Sequence, residues 1–401
     1  MSGEHGFECV DGGADWHALA REFTSRVGRY QASAGHDWRT LEEPETRGRE
    51  LTGRPLALLG AGSPIARPFV LAALERCDVR ILVDNHRQGQ SLNGHRYVCD
   101  KEFIELAATT PNLLTVICPF SSAAWIHFET LTAKAGVVSL PLFLACRRLG
   151  LGRKLDHSLW GGFCDPETTT RLVTSAADLA ERLEDDLGRA TLYALLLFRL
   201  SWSMAWPALV RRPEAERYFS SQALEVGPNE VLVDGGAFTG DTVAEFLAAT
   251  GGLCRHIHAF EPDPEIALAF QRQHGHRPEI TLHRAGLWSH AGELRFDPTN
   301  TPGSGTFDQG GGVSVPVEAI DGLEGPPPTV IKLDVEGAEP EALAGAARVI
   351  TQTRPKLAVA CYHRPNHLID LALSVLALRP DYRITLRHYD PILFDTILYA
   401  W

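Results

Sequence analysis

The sequence lacks a basic excess: 38 Lys and Arg stand against 50 Asp and Glu, giving a net charge of −12. A chain with that balance has no broad cationic surface for following a phosphate backbone, so nucleic acid is not expected as substrate or partner. Paired cysteines are missing as well. Eight are scattered along the chain, Cys9, Cys77, Cys99, Cys118, Cys146, Cys164, Cys254 and Cys361, with no C-x-x-C among them. Several lie in apolar runs, where cysteine acts as a small buried hydrophobe. That pattern speaks against a disulfide framework and for a reducing, cytoplasmic setting. Where a secretory signal would carry a positive region and an apolar core, the chain has Glu4, Glu8, Asp11 and Asp15, and no such signal is expected. A long uninterrupted apolar run is absent too. The best approximation, Leu192 to Val210, contains Arg199 and Pro207, which suits a buried helix better than a membrane span.

What is present exceeds one hydrophobic core. At 401 residues the default is two domains. Residues 1–50 read as a helical extension, with Trp16, Leu19, Phe23 and Val27 at roughly helical spacing, packing on a neighbouring surface or a partner. Residues 51–169 alternate short apolar runs, Pro55–Gly60, Val79–Asp84 and Leu113–Cys118, with helical stretches. This predicts a small parallel, Rossmann-like α/β domain. Gly60, Gly62 and Asp84 resemble a dinucleotide fingerprint, but Ile65 occupies its third glycine position, so both a bound nucleotide or sugar nucleotide and a tight structural turn are open. Residues 170–220 form a helical bridge: Leu179, Leu183 and Leu187 share one face, and a second helix runs through Leu192, Leu196 and Leu200. Its tryptophans and Tyr218 belong to packing or reach a substrate mouth.

Residues 221–401 carry the chemistry. An apolar strand ends in Val-Asp234-Gly235-Gly236-Ala-Phe238-Thr-Gly240-Asp241-Thr242, whose glycines admit a ligand close to the backbone. A second strand, His256 to Phe260, delivers Glu261 and Pro262, 27 residues after Asp234. An acidic side chain there can accept both hydroxyls of a ribose. The pair favours an adenosine-containing cofactor. S-adenosyl-L-methionine (AdoMet) is preferred over a dinucleotide because Asp234 places a carboxylate where a pyrophosphate would be repelled. Ile280 to Trp288 supplies a third strand and a loop, with Gly286, Leu287 and Trp288 positioned to flank an adenine.

A fourth strand, Thr329 to Asp334, is followed by Glu336 and Glu339, so three acids gather at one sheet edge. A fifth ends at His363, the natural candidate for a general base, with Asp334 to orient either its imidazole or the acceptor hydroxyl. Two alternating strands, Tyr382–Tyr389 and Asp395–Trp401, predict the antiparallel hairpin that closes a seven-stranded mixed sheet with helices on both faces. Together these predict a class I AdoMet methyltransferase fold behind a smaller Rossmann-like domain. No metal is expected, although Asp334 and Glu336 are hard oxygen donors near the mouth. The loop from Thr299 to Gly312 has the composition of a substrate lid or of an ordinary surface loop.

Residues from about 229 to 363 resemble the FkbM-type methyltransferase family. The resemblance rests on Val-Asp-Gly-Gly-Ala-Phe-Thr-Gly-Asp-Thr, on His-Ala-Phe-Glu-Pro and, above all, on Ile-Lys-Leu-Asp-Val-Glu-Gly-Ala-Glu followed by Leu343 and Gly345. It implies O-methylation of a hydroxyl on a sugar, polysaccharide unit or natural product. It also implies AdoMet held by Asp234 through Gly240 and Glu261, with Asp334, Glu336 and His363 at the transfer site. Gly235 and Phe238 depart from the family's usual residues. The expected partner is thus a small-molecule or glycan acceptor, and a homo-oligomer is compatible with the sequence. The rival readings are a catalytically inactive AdoMet-binding or nucleotide-sugar-binding protein of the same fold, and chemistry carried by the N-terminal unit on a nucleotide sugar.

Overall fold

A computed structural model describes residues 14–34, 37–43, 49–64, 66–119, 121–151, 166–220, 224–297, 306–307 and 313–401. They divide into two compact units. One comprises Ala20–Val173 and Leu195–Trp206, the other Met1–Leu19, Thr174–Ala194 and Pro207–Trp401.

The first unit is built on six strands: β1 (Pro55–Leu59), β2 (Asp78–Val83), β3 (Ser91–Leu92), β4 (His95–Val98), β5 (Leu114–Ile117) and β6 (Val138–Pro141). Their order is β3-β4-β2-β1-β5-β6. Every pairing is parallel except the short β3–β4 hairpin. Helices over Arg67–Arg76, Asp100–Thr109 and Ser122–Ala135 connect the strands, which explains why Leu56 to Leu59 are fully buried and read as a continuous apolar run. This is the expected Rossmann-like sheet.

Its glycine turn is drawn in on itself. Asp84 accepts hydrogen bonds from the Gly62 and His86 amides, both at 3.0 Å. A Cβ on Gly60 would lie 2.2 Å from Pro119, and one on Gly62 2.2 Å from Asp84. Those contacts are what the tight-turn reading requires, and Ile65 lies outside the described residues. In the same unit Arg26 forms a two-pronged pair with Glu43 at 2.7 and 2.9 Å, and the Trp206 indole donates to the same carboxylate at 2.7 Å. This buried pair anchors the helix over Trp16–Ala32.

The second unit holds the predicted seven-stranded mixed sheet. β7 (Val231–Gly235), β8 (His256–Phe260) and β9 (Ile280–His283) run one way from its centre. A four-stranded sheet follows, formed by β10 (Gly286–Leu287), β11 (Gly292–Asp297), β12 (Thr306–Phe307) and β13 (Val313–Glu318). The main sheet resumes with β14 (Val330–Leu333), β15 (Lys356–Ala360), β16 (Ile384–His388) and β17 (Thr396–Ala400), in the order β16-β17-β15-β14-β7-β8-β9. Only β16–β17 and β15–β17 pair antiparallel within it. Because β7 and β14 are neighbours whose following segments leave in different directions, a crevice opens at their carboxyl ends, where α/β sheets bind ligands. Of the Thr299–Gly312 stretch, only Thr306–Phe307 lies within the described residues.

Candidate active site

Register fixes the floor of the crevice. On parallel β7 and β14, Asp234 is paired with Lys332 and Gly235 with Leu333, so the two charged side chains emerge on the same face. Lys332 Nζ lies 3.0 Å from Asp234 Oδ1 and donates to the Gly235 and Gly236 carbonyls at 3.1 and 2.9 Å. Burial works against the ammonium charge, but Asp234 and Asp334 outweigh it and hold Lys332 above the usual lysine range. Asp234 is thereby covered: it is 0% exposed and does not reach the cavity.

Gly236 turns the chain over this pair at φ +73°, and a Cβ there would sit 1.9 Å from the Asp334 carbonyl oxygen. Only glycine fits that approach. Phe238 and Glu336, in the loops after β7 and β14, also hold positive φ, at +47° and +55°. With Tyr218 at +54°, three of the eight positive-φ non-glycine residues among the described residues line one crevice.

The crevice is a cavity of about 260 Å³. Glu261, Pro262 and Ile266 wall one side, Gly286 and Leu287 another, and Asp334, Val335 and Glu336 a third. Glu261 accepts from the Phe238 amide at 3.0 Å and from the Asp263 amide at 2.8 Å. Burial raises its pKa to about 7 despite those two donors. One lone pair on each oxygen remains for hydroxyl donors. Asp241, in the first turn of the helix over Asp241–Ala249, also faces the cavity, as do Thr242 and the partly exposed Phe238 ring.

At the third wall a polar cluster surrounds Asp334. Its Oδ2 accepts from the Tyr218 hydroxyl and its Oδ1 from the Tyr362 hydroxyl, both at 3.0 Å. Burial, reinforced by Asp334, raises both phenols well above their ordinary value, so they stay donors. His363 was expected at the mouth as a free base. It is instead 1% exposed and lies behind Asp334 and Glu336, outside the cavity lining. Its Nε2 is 3.4 Å from Asp334 Oδ1 and 3.3 Å from Glu336 Oε2, and its Nδ1 is 2.9 Å from Glu339 Oε1. Glu339, fully buried, is also flanked by His367 at 3.2 Å and accepts from the Val335 and Gly337 amides at 3.0 and 3.3 Å. Burial opposes the Glu339 charge, but the two histidines outweigh it and hold the carboxyl well below the usual range. Burial likewise opposes charge on His363, yet Glu339 and Glu336 push its pKa well above that of a free imidazole.

The residues named from sequence thus separate into two layers. Gly236, Phe238, Asp241, Thr242, Glu261, Pro262, Gly286, Leu287, Asp334 and Glu336 line the cavity. Asp234, Gly235, Gly240 and His363 sit behind it, and half-buried Trp288 donates its amide to Glu318 without lining it. Gly240 caps the helix at φ +95° against the His274 ring. Lys332, Arg217 and Tyr362 were not anticipated. A lysine inside the apolar run Val-Ile-Lys-Leu was the available signal for the first.

Residues 234–383 match the family model described as the methyltransferase FkbM domain. A crystal structure titled methyltransferase FkbM, from Methylobacillus flagellatus, is similar over 96% of this chain and 100% of that one, at 28% identity and a TM-score of 0.76. The hexuronic acid methyltransferase AglP of Haloferax volcanii is 30% identical over 102 residues, 24% of this chain. The match spans 43% of the length of that curated relative.

Proposed function

Because its C-terminal domain belongs to the FkbM methyltransferase family, we propose that this protein is an enzyme that transfers the AdoMet methyl group to a hydroxyl oxygen of a sugar, a polysaccharide unit or a related natural product. The observation that carries the reading is the composition of one cavity. A buried carboxylate, Glu261, stands at the end of β8, and two more, Asp334 and Glu336, follow the end of β14. Glu261 suits a ribose diol, Gly286 and Leu287 an adenine edge, and the Gly236–Thr242 loop with Asp241 the charged amino-acid tail. Asp234 acts from below, by fixing Lys332 and through it the carbonyls of the loop.

The acceptor is placed against Asp334 and Glu336. Its oxygen attacks the methyl carbon as the carbon–sulfur bond breaks, and the cofactor leaves as a neutral thioether. The hydroxyl proton needs an acceptor. Both Asp334 oxygens already receive tyrosine hydroxyls, which leaves Glu336 as the freer base, while buried His363 positions the two carboxylates. The match to a hexuronic acid methyltransferase supports a sugar-derived acceptor.

The test uses the full chain with labelled AdoMet and a panel of sugars, uronic acids and oligosaccharides, alongside calorimetry with S-adenosylhomocysteine. Saturable binding and label transfer to a hydroxyl-bearing acceptor are expected. A folded protein that binds neither AdoMet nor S-adenosylhomocysteine overturns the reading.

A further inference from the structure

We propose that Asp334, Glu336 and His363 Nε2 form a site for one divalent cation at the inner edge of the cavity. Neither ring nitrogen of the buried His363 is in hydrogen-bond geometry, and Nε2 lies 3.4 and 3.3 Å from one oxygen each of Asp334 and Glu336. Charge-assisted hydrogen bonds of this type close to about 2.7–2.9 Å. Around a cation with bonds of roughly 2.1–2.3 Å, however, adjacent ligand atoms in an octahedron stand about 3.0–3.3 Å apart. The observed 3.3 and 3.4 Å lie at or just above the upper end of that spacing and are wider than a closed ion pair.

The surrounding shell agrees. Asp334, Glu339 and His363 each offer a ligand atom within 4.8 Å of one another. Glu339 Oε1 is committed to the Val335 and Gly337 amides and to the Nδ1 side of the ring. That makes it the outer carboxylate that sets the ring's orientation, the arrangement that accompanies most metal-bound histidines. Charge points the same way. Three carboxylates, Asp334, Glu336 and Glu339, meet two imidazoles, His363 and His367, while Lys332 is held by Asp234 and Arg217 by Asp395. A divalent cation offsets that excess with the imidazoles neutral. Two carboxylates and one imidazole suit Mn²⁺ or Mg²⁺ better than a thiophilic metal.

Asp334 and Glu336 line the cavity, so the cation's remaining positions face the acceptor. Its role there rests on the methyl-transfer reading. A hydroxyl on the cation would lose its proton more readily, with the Glu336 oxygen that is not a ligand as the acceptor. Occupancy of the site does not depend on that reading.

The experiment is electron paramagnetic resonance of Mn²⁺ titrated into chelator-treated full-length protein, with S-adenosylhomocysteine affinity measured on the same samples. One saturable Mn²⁺ per chain is expected, displaced by excess Mg²⁺ and weakened at least about tenfold in Glu336→Gln and His363→Gln. Glu336→Gln keeps the side chain's shape at the cavity edge, so it reports even where His363→Gln unfolds. No saturable Mn²⁺, or binding unchanged in Glu336→Gln, overturns the site. Cofactor affinity without Mn²⁺ binding removes the cation and leaves the methyltransferase reading standing. Mn²⁺ binding without cofactor affinity does the reverse.

Discussion

Acidification provides a direct handle on the cofactor side of the cavity. Glu261 is buried, and that burial raises its pKa to about 7 in the ligand-free protein. A carboxylate that must accept two ribose hydroxyls binds only in its ionised form. The apparent dissociation constant then scales as 1 + 10^(7 − pH), a factor of about 1.1 at pH 8, 2 at pH 7 and 11 at pH 6. Affinity for S-adenosylhomocysteine should accordingly fall about tenfold from pH 8 to pH 6, roughly 1.4 kcal/mol. Binding near pH 6 should release close to one proton. The free protein shows the opposite sign. A carboxyl whose folded pKa lies above its unfolded value contributes stability below about pH 4, the ordinary glutamate range, and loses it as pH rises through 7. Calorimetry in buffers of different ionisation enthalpy reads both the affinity and the proton. Glu261→Gln should bind more weakly and flatten the profile. Wild-type affinity that stays level between pH 6 and 8, or a glutamine variant with the wild-type slope, would refute the assignment of Glu261.

Lys332→Met should destabilise the folded protein by about 3–5 kcal/mol in urea denaturation at pH 7, because it leaves Asp234 charged and unpaired in the core. Adding Asp234→Asn should recover part of that loss, and strictly additive losses would count against a coupled pair. Gly236→Ala should cost at least about 2 kcal/mol and abolish measurable S-adenosylhomocysteine binding, since its Cβ meets the Asp334 carbonyl at 1.9 Å in a left-handed backbone. Gly227→Ala, with open space and no positive φ, is the control and should stay within about 0.5 kcal/mol of wild type.

The central strands were legible because they are buried on both faces. Val231 to Val233 and Val330 to Leu333 read as strands whichever neighbour they take. The acids that follow them mark the functional edge by position alone, which is why Glu261, Asp334 and Glu336 could be named from the sequence and are found around one cavity. The closing hairpin was equally visible, since β16 and β17 are short alternating runs joined by a turn.

Depth was not legible. Lying next to last on its strand places Asp234 at the correct edge, yet its register partner Lys332 lies 98 residues away in sequence, and only the strand order brings them together. His363 poses the same difficulty more sharply. Its position after β15 predicts the edge, but its burial depends on Glu339 and His367, which occupy two different helices. The four-residue spacing of His363 and His367 and the invasion of an apolar turn by Glu339 were the available signals. Once those three side chains close on one another, the imidazole cannot face an acceptor as a free base. What it can do is hold a nitrogen toward Asp334 and Glu336. The same contacts that remove His363 from the cavity therefore define its alternative place, as the inner member of a three-residue cluster whose two outer members line the cavity.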